Sequence, residues 1–450
     1  ISAINSSGLH DKAQELKEEI TRLSLKAVLV TEPVMLKTIN NQISDKEIAL
    51  GKILEEQSKS NPLAYYTIPS ISYLQNPFLD EHTILITYHL AEKKLTQFII
   101  TRNSFTGIQK NTYPEFESDL QQTISNWEGA DAYINTEAVN NRLYRFLLGA
   151  VNLKSIKGII IVPDNELNYL PFEALKKDDH YLIEDHPVQY QYSTVLLKKE
   201  TQDLRNLETL SFAPFTIKGY NFEDLSFKKL SFSSQEIMHN KGIYFTDIEA
   251  TKNKFLSLIG KYEIIHLATH ASSNSRNNQL SYIAFAPWND TARESFLLFA
   301  PEIYNLTLKR NRLIILSACE TSNGGLVKGE GVMSLSRAFE YSGCQNIISS
   351  LWKADDEATS VITQKLHNYL NKGESIAEAL QMAKKDYLSD PRINPRRKNP
   401  AYWAHLIYTG NYKPSSFNTT RIWTIIIIAF AIGILISMKA FRNKVARKKS

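Results

Sequence analysis

The sequence predicts an α/β protein built on a mostly parallel sheet with helices on both faces. Short aliphatic and β-branched runs recur at 158–163, 210–214, 263–267, 312–316 and 346–352. Runs of this kind read as strands buried on both sides. Segments with helical spacing alternate with them, and strands alternating with helices make a parallel sheet. Two of the runs also end on reactive side chains: Tyr262-Glu-Ile-Ile-His-Leu-Ala-Thr-His270 and Arg312-Leu-Ile-Ile-Leu-Ser-Ala-Cys319. Functional groups gather at the carboxyl ends of such strands. An imidazole and a thiol are the raw material of a cysteine nucleophile with a histidine partner.

The elements follow in order. Residues 10–29 carry Leu16, Ile20, Leu23 and Ala27 at helical spacing, and 45–57 repeats the pattern with Asp45 as the cap. Residues 1–60 therefore read as a helical segment, which fits the tail of a repeat array. A proline-bearing connector spans 61–82. Residues 83–90 and 95–101 read as a hairpin about Ala91-Glu-Lys-Lys94. A helical stretch follows at 113–150, then strands at 158–163 and 187–192. The second set comprises a strand at 210–214, a helix at 252–259, the His270 strand, a strand at 281–286 and the Cys319 strand. It continues with a helix at 331–341 closed by Gly343, a strand at 346–352, helices at 358–370 and 376–388, and a last strand at 405–409.

Composition narrows the function. The chain has 450 residues, 43% hydrophobic and 22% charged, enough for a large core and more than one domain. No phosphate-binding glycine loop, CxxC pair or His/Cys cluster is present, so no cofactor and no metal are implied. Two cysteines, Cys319 and Cys344, build no disulfide framework. Cys344, at a turn entering a strand, reads as a small apolar filler. The net charge of +5 is concentrated in residues 439–450, which hold six of the 52 Lys and Arg and no acid; the other 46 face 47 acidic residues. A neutral globular part gives no case for nucleic-acid binding.

Residues 422–438 contain no charge. At 1.5 Å per residue they cover about 26 Å, near the short limit for a bilayer core. Trp423 marks one interface and the basic tail the other. The expectation is a single-pass membrane protein, its tail cytoplasmic and residues 1–420 outside the cytoplasm, in the periplasm. Because the chain begins at Ile1 rather than Met, this topology expects an export signal upstream.

Five ordered strings complete the reading: IIIVPDNELNYLPFEAL (159–175), IHLATHA (265–271), LIILSACET (313–321), GEGVMSLSRAF (329–339) and SLWKADDEAT (350–359). With them the chain resembles the CHAT domain, a bacterial branch of the caspase-like cysteine peptidases related to separases and gingipains. The resemblance covers roughly 83–412 and implies a caspase-like sheet, a degenerate half at 83–205 and a catalytic half at 208–412. The family often follows tetratricopeptide repeats, which suits residues 10–60 and implies a protein partner there.

The resemblance implies peptide-bond hydrolysis through an acyl-enzyme, with Cys319 as nucleophile and His270 as proton carrier. The oxyanion donors would be the backbone N–H groups of Ala271 and Cys319. Two positions depart from the family pattern: Ala271 and Ser322 stand where glycine is usual. Asp355 and Asp356 would border the pocket for the residue before the scissile bond, pairing with arginine or lysine; an acidic helix start is the alternative. His266 shares a strand face with His270, but Leu267 replaces the glutamate of a zinc motif, so a satisfied structural histidine is expected. Glu330 reads as a turn residue. The function expected is a membrane-anchored caspase-like cysteine endopeptidase acting on a protein or peptide; the alternative is an inactive CHAT scaffold or signalling module that binds protein partners.

Overall fold

The computed structural model describes residues 12–413 except 14, 18, 25, 28–31, 61–68, 130–136, 200–202, 223–224, 239–240, 275–277, 288–291, 319–320, 322–323, 328–330 and 354. Cys319, Ser322 and Glu330, the apolar run 422–438 and the basic tail 439–450 lie outside the described residues. Among the described residues no helix is long and apolar enough to cross a membrane.

Eleven strands form one sheet: β1 Thr83–Ala91, β2 Lys94–Ile100, β3 Phe105–Asn111, β4 Gly158–Val162, β5 Val188–Tyr190, β6 Thr209–Ala213, β7 Gly242–Thr246, β8 Ile264–Leu267, β9 Leu313–Leu316, β10 Asn346–Ser350 and β11 Leu406–Gly410. Their spatial order is β7-β6-β8-β9-β10-β11-β5-β4-β1-β2-β3. Of the ten ladders joining them, seven are parallel. The exceptions are the β1-β2-β3 meander and the β10–β11 pair. The last strand thus enters the middle of the sheet and reverses its sense. The carboxyl ends of β6 to β10 and the amino ends of β11, β5, β4 and β1 share one border.

The main helices are α1 Pro33–Ser60, α2 Phe116–Glu128, α3 Glu137–Leu148, α4 Ser233–Met238, α5 Lys252–Leu258, α6 Leu335–Tyr341, α7 Asp356–Asn371 and α8 Ile376–Ser389. Alternate strand residues point to opposite faces, and the core splits accordingly. Ile264, Leu313, Ile315 and Ile348 join a cluster with Ile362 and Leu366 of α7 and Ala379 of α8. Their neighbours Ile265, Leu267, Ile314, Leu316 and Ile347 join Phe255 of α5 and Leu335 and Phe339 of α6. Layers on both sides explain the aliphatic runs of these strands.

Several boundaries differ from the sequence reading for identifiable reasons. The described residues within 12–27 are helical; the helix read at 45–57 starts at Pro33, since proline suits a first helical turn, and Asp45 lies inside it. The helix read from 331 begins only at Leu335, capped by the Ser334 hydroxyl, while Gly331–Ser334 pairs with Gly324–Val327. The segment read as a strand at 281–286 forms Tyr282–Ala284, central in a three-stranded side sheet with Ala271–Ser272 and Leu297–Phe299. Gly343, at φ +113°, ends α6 as expected, with the Cys344 N–H returning to the Phe339 carbonyl. Of the connector 61–82, the described part contains short helical turns at Ile71–Tyr73 and Leu74–Phe78. The N-terminal helical residues touch the domain, Asn305 Nδ2 donating to the Lys17 carbonyl at 3.3 Å.

Candidate active site

The site lies on the border where β8, β9 and β10 end and β11 begins. Beyond β8 the chain leaves the sheet through Ala268 and Thr269, whose N–H and hydroxyl donate to the Phe212 and Ala284 carbonyls. These bonds deliver His270. Its Nε2 lies 2.7 Å from the Lys228 carbonyl oxygen. A carbonyl only accepts, so Nε2 carries the proton and the lone pair of the neutral ring sits on Nδ1. The ring is wedged between Phe215, edge-on at 4.9 Å between centroids, and Phe227 at 5.7 Å. Burial lowers the pKa of His270 below the ordinary imidazole value; the Lys228 carbonyl opposes the shift and the Lys353 charge adds to it. The ring is held as a neutral base.

The segment that cradles this ring is itself anchored. Asp247, at φ +47°, accepts the Ile217 N–H at 2.8 Å and the Thr216 hydroxyl. These bonds tie down the chain beside Phe215.

Ala271 enters the side sheet opposite Ile283. The Ala284 N–H donates to the His270 carbonyl at 2.8 Å, which makes 270 and 284 the hydrogen-bonded pair. Ala271 therefore occupies the alternate position, and its N–H points away from its ladder partner.

From β9 the described chain continues through Ser317 and Ala318; the next residue, Cys319, is outside the described residues. A cavity of about 30 Å³ sits beside them, its lining including Thr269, Ser317, Ala318, Asp356, Glu236 and His405. Such a volume suits about two waters.

The two neighbouring acids are split. Asp355 is the N-cap of α7, its Oδ1 accepting the Ala358 N–H at 2.9 Å, and it is also paired with Arg397. Arg397 in turn grips Glu357. Asp356, one residue on, turns into the cavity, where its Oδ2 accepts the Phe232 N–H at 2.8 Å. Burial pushes its carboxyl up to about 6; the Phe232 N–H opposes this and the Glu236 charge adds to it.

His266 has the character expected of a structural histidine: fully buried, with Nε2 2.8 Å from Glu236 Oε1 and Nδ1 3.0 Å from His367 Nε2. Among the described residues no group of His, Cys, Asp or Glu could hold a metal ion. Cys344 is fully buried in the core under the sheet, and burial pushes its thiol up to about 12. Sequence reasoning missed Glu236, on a short helix without a strong period. It also missed the Lys228 carbonyl, which as a backbone group carries no residue signature.

Comparison with known proteins agrees with this architecture. Among solved structures, a chain of the Saccharomyces cerevisiae separase–securin complex is similar over 86% of this chain and 33% of that chain, at TM-score 0.50 and 10% identity. A Porphyromonas gingivalis RgpB structure, with pro- and mature domains, aligns over 66% of this chain and 76% of that one, at TM-score 0.39 and 11% identity, too loosely to argue from. Tetratricopeptide repeat protein 28 of Homo sapiens is 25% identical over 197 residues, 36% of this chain and 8% of that protein. The chain thus spans only a small part of that curated relative and about a third of the separase-complex chain. The CHAT domain matches residues 137–411, more than half of the sequence. By that match this chain belongs to the CHAT domain family.

Proposed function

We propose that this chain is a caspase-like cysteine endopeptidase. Cys319 Sγ attacks the scissile carbonyl carbon as its proton passes to His270 Nδ1; the tetrahedral intermediate collapses to a thioester, and the amine leaves with that proton. Water, deprotonated by the same nitrogen, attacks the thioester carbonyl carbon; the C–S bond breaks, the acid leaves, and Sγ takes the proton back from Nδ1. The Ala271 and Cys319 N–H groups bind the oxyanion.

One observation carries the reading. Strands β8 and β9 are adjacent and parallel, in register from Ile264 opposite Leu313 to Leu267 opposite Leu316. His270 follows the last residue of β8 by three positions, and Cys319 follows the last residue of β9 by three. Two neighbouring parallel strands are therefore each followed, at the same offset in sequence, by one of the two reactive residues. The fixed Nε2–H tautomer supports the proton route.

Substrate preference for a basic residue before the scissile bond rests on Asp356, with Asp355 already engaged by Arg397. Membrane attachment through 422–438, with a cytoplasmic tail and residues 1–420 in the periplasm, rests on sequence alone, as does a partner-binding role for the N-terminal helices. Protease shaving of intact spheroplasts that spared the globular part would overturn that orientation.

Labelling tests the reaction. Iodoacetamide or an acyloxymethylketone is expected to modify Cys319 of the native protein quickly, and His270→Ala to abolish the fast phase. Slow labelling indifferent to His270 would favour the scaffold alternative.

Asp356 makes a separable prediction. A carboxyl whose folded pKa is raised to about 6 stabilises the fold most below its unfolded value near 3.8, and that stability is lost as pH rises through 6. Asp356→Asn should therefore raise the melting temperature at pH 7. It should also raise KM for arginyl substrates by ~10-fold or more, since one charge-assisted bond is lost. An unchanged KM ratio between arginyl and neutral peptides would remove Asp356 from recognition.

A further inference from the structure

We propose that Ser317 and Thr321 are positioning residues for Cys319, Ser317 anchored by a buried Glu236–His266–His367 chain and Thr321 by the end of β10. The proposal deepens the peptidase reading and rests on it. In the string Ser317-Ala-Cys-Glu-Thr321 the nucleophile is bracketed two residues away on each side. Both brackets are tied to strands flanking β9.

On the near side, Ser317 Oγ lies 3.0 Å from His266 Nε2 on β8. The same nitrogen lies 2.8 Å from Glu236 Oε1, and His266 Nδ1 lies 3.0 Å from His367 Nε2, the two imidazoles stacked at 5.1 Å. His266 and Glu236 are 0% and 2% exposed, and His367 6%. The protons order themselves along this chain. Glu236 as a carboxylate only accepts, so His266 Nε2 bears hydrogen. Burial and the His266 charge hold the His367 pKa well below its ordinary value. Neutral His367 shares one hydrogen bond with His266 Nδ1 through its Nε2. Helix α4, strand β8 and helix α7 thereby clamp one ring, which gives Ser317 a rigid partner.

On the far side, Thr321 is fully buried. Its hydroxyl accepts the Ser350 N–H at 2.8 Å, where β10 ends, and its carbonyl accepts the Ser336 N–H at 3.0 Å, in α6. Side chain and backbone are thus held by different elements. Ser317 and Thr321 are each held, and the reactivity of the group between them depends on distance: a misplacement of about 1 Å can cost ~10²-fold. The arrangement gives the His266 ring, which makes no contact with substrate in the proposed reaction, a task beyond filling the core.

The test uses the full chain and two readouts: the pH profile of iodoacetamide labelling at Cys319, and kcat against KM on a peptide. Thr321→Val keeps the shape of the side chain and removes the acceptor; Ser317→Ala, at a partly exposed site, is the variant least able to disturb folding. Each is expected to lower kcat by ~10–100-fold with KM within about twofold. Each should also move the labelling midpoint toward that of a free thiol, and Thr321→Ser should restore both. A purely structural role would lower the melting temperature and leave the midpoint unmoved. Folded variants, Ser317→Ala sufficing, that keep the wild-type profile and kcat would overturn the proposal while leaving a His270-dependent peptidase intact. A wild-type Cys319 that labels no faster than free cysteine would end the peptidase reading and this proposal together.

Discussion

Replacing His270 with alanine is expected to reduce peptide turnover by about 10²–10⁴-fold, the range that a positioned general base supplies. An unassisted thiol near pKa 8.5 is only a few per cent thiolate at neutral pH, and without the imidazole nothing takes its proton as the bond forms. The loss should fall on kcat, because the ring is bonded to Lys228 and wedged between two phenylalanines rather than reaching for substrate. The pH dependence follows from the same environment. His270 must be neutral to accept the proton. Since burial lowers its pKa, the acid limb of kcat should have its midpoint below 6.5, with activity lost as pH falls through that midpoint. Asp356 titrates separately, near 6, and its protonation should appear in KM for cationic substrates. Phe227→Ala, which opens one side of the ring to water, should move the kcat limb upward toward the ordinary imidazole value. Turnover within threefold of wild type in His270→Ala, measured across pH 5–8, would eliminate the dyad.

What could be read in advance tracks how each residue is buried. Strands β4, β8, β9 and β10 lie between two helical layers and each carries a buried aliphatic run, so their sequences announce them. The sheet edges do not. β3 is mostly exposed, with a burial pattern that never reaches the core, and β7 presents Gly242, Ile243 and Tyr244 to solvent; neither needs a hydrophobic run. The candidate site divides similarly. His270 and Cys319 stood out because each follows a buried run, and Asp356 because it follows β10. That Asp355 and Asp356 separate was not legible, because one residue of rotation about a helix start turns the first toward the cap and the second into the cavity. The Lys228 carbonyl belongs to the backbone, where side-chain patterns are silent.

The largest effect on stability is expected away from the chemistry, at Lys384. This lysine of α8 is completely buried. Its Nζ donates to Glu173 Oε1 at 3.0 Å and to the Leu406 carbonyl at the start of β11. Glu173, 1% exposed, comes from the PFEAL string and also accepts the Tyr190 hydroxyl of β5. Burial lowers the Lys384 pKa, and Glu173 pulls it back up. Its own burial, with the nearby Lys384 charge adding to it, keeps His405 neutral, its pKa lowered to about 3. Lys384→Met removes the cation but leaves the Glu173 carboxylate buried, with only neutral donors such as the Tyr190 hydroxyl. Breaking a buried pair from one side costs about 3–5 kcal/mol, and chemical denaturation of the purified protein should return a loss in that range. The double variant Glu173→Gln/Lys384→Met should recover much of it, because an amide needs no counter-ion while the methionine fills the lysine's path. This coupling matters for the site because the pair joins residue 173, ahead of β5, to the start of β11. That strand's first residue, Leu406, lines the same cavity as Asp356. If the single variant unfolds at the same denaturant midpoint as wild type, the pair contributes nothing, and the PFEAL motif must be explained by its apolar residues alone.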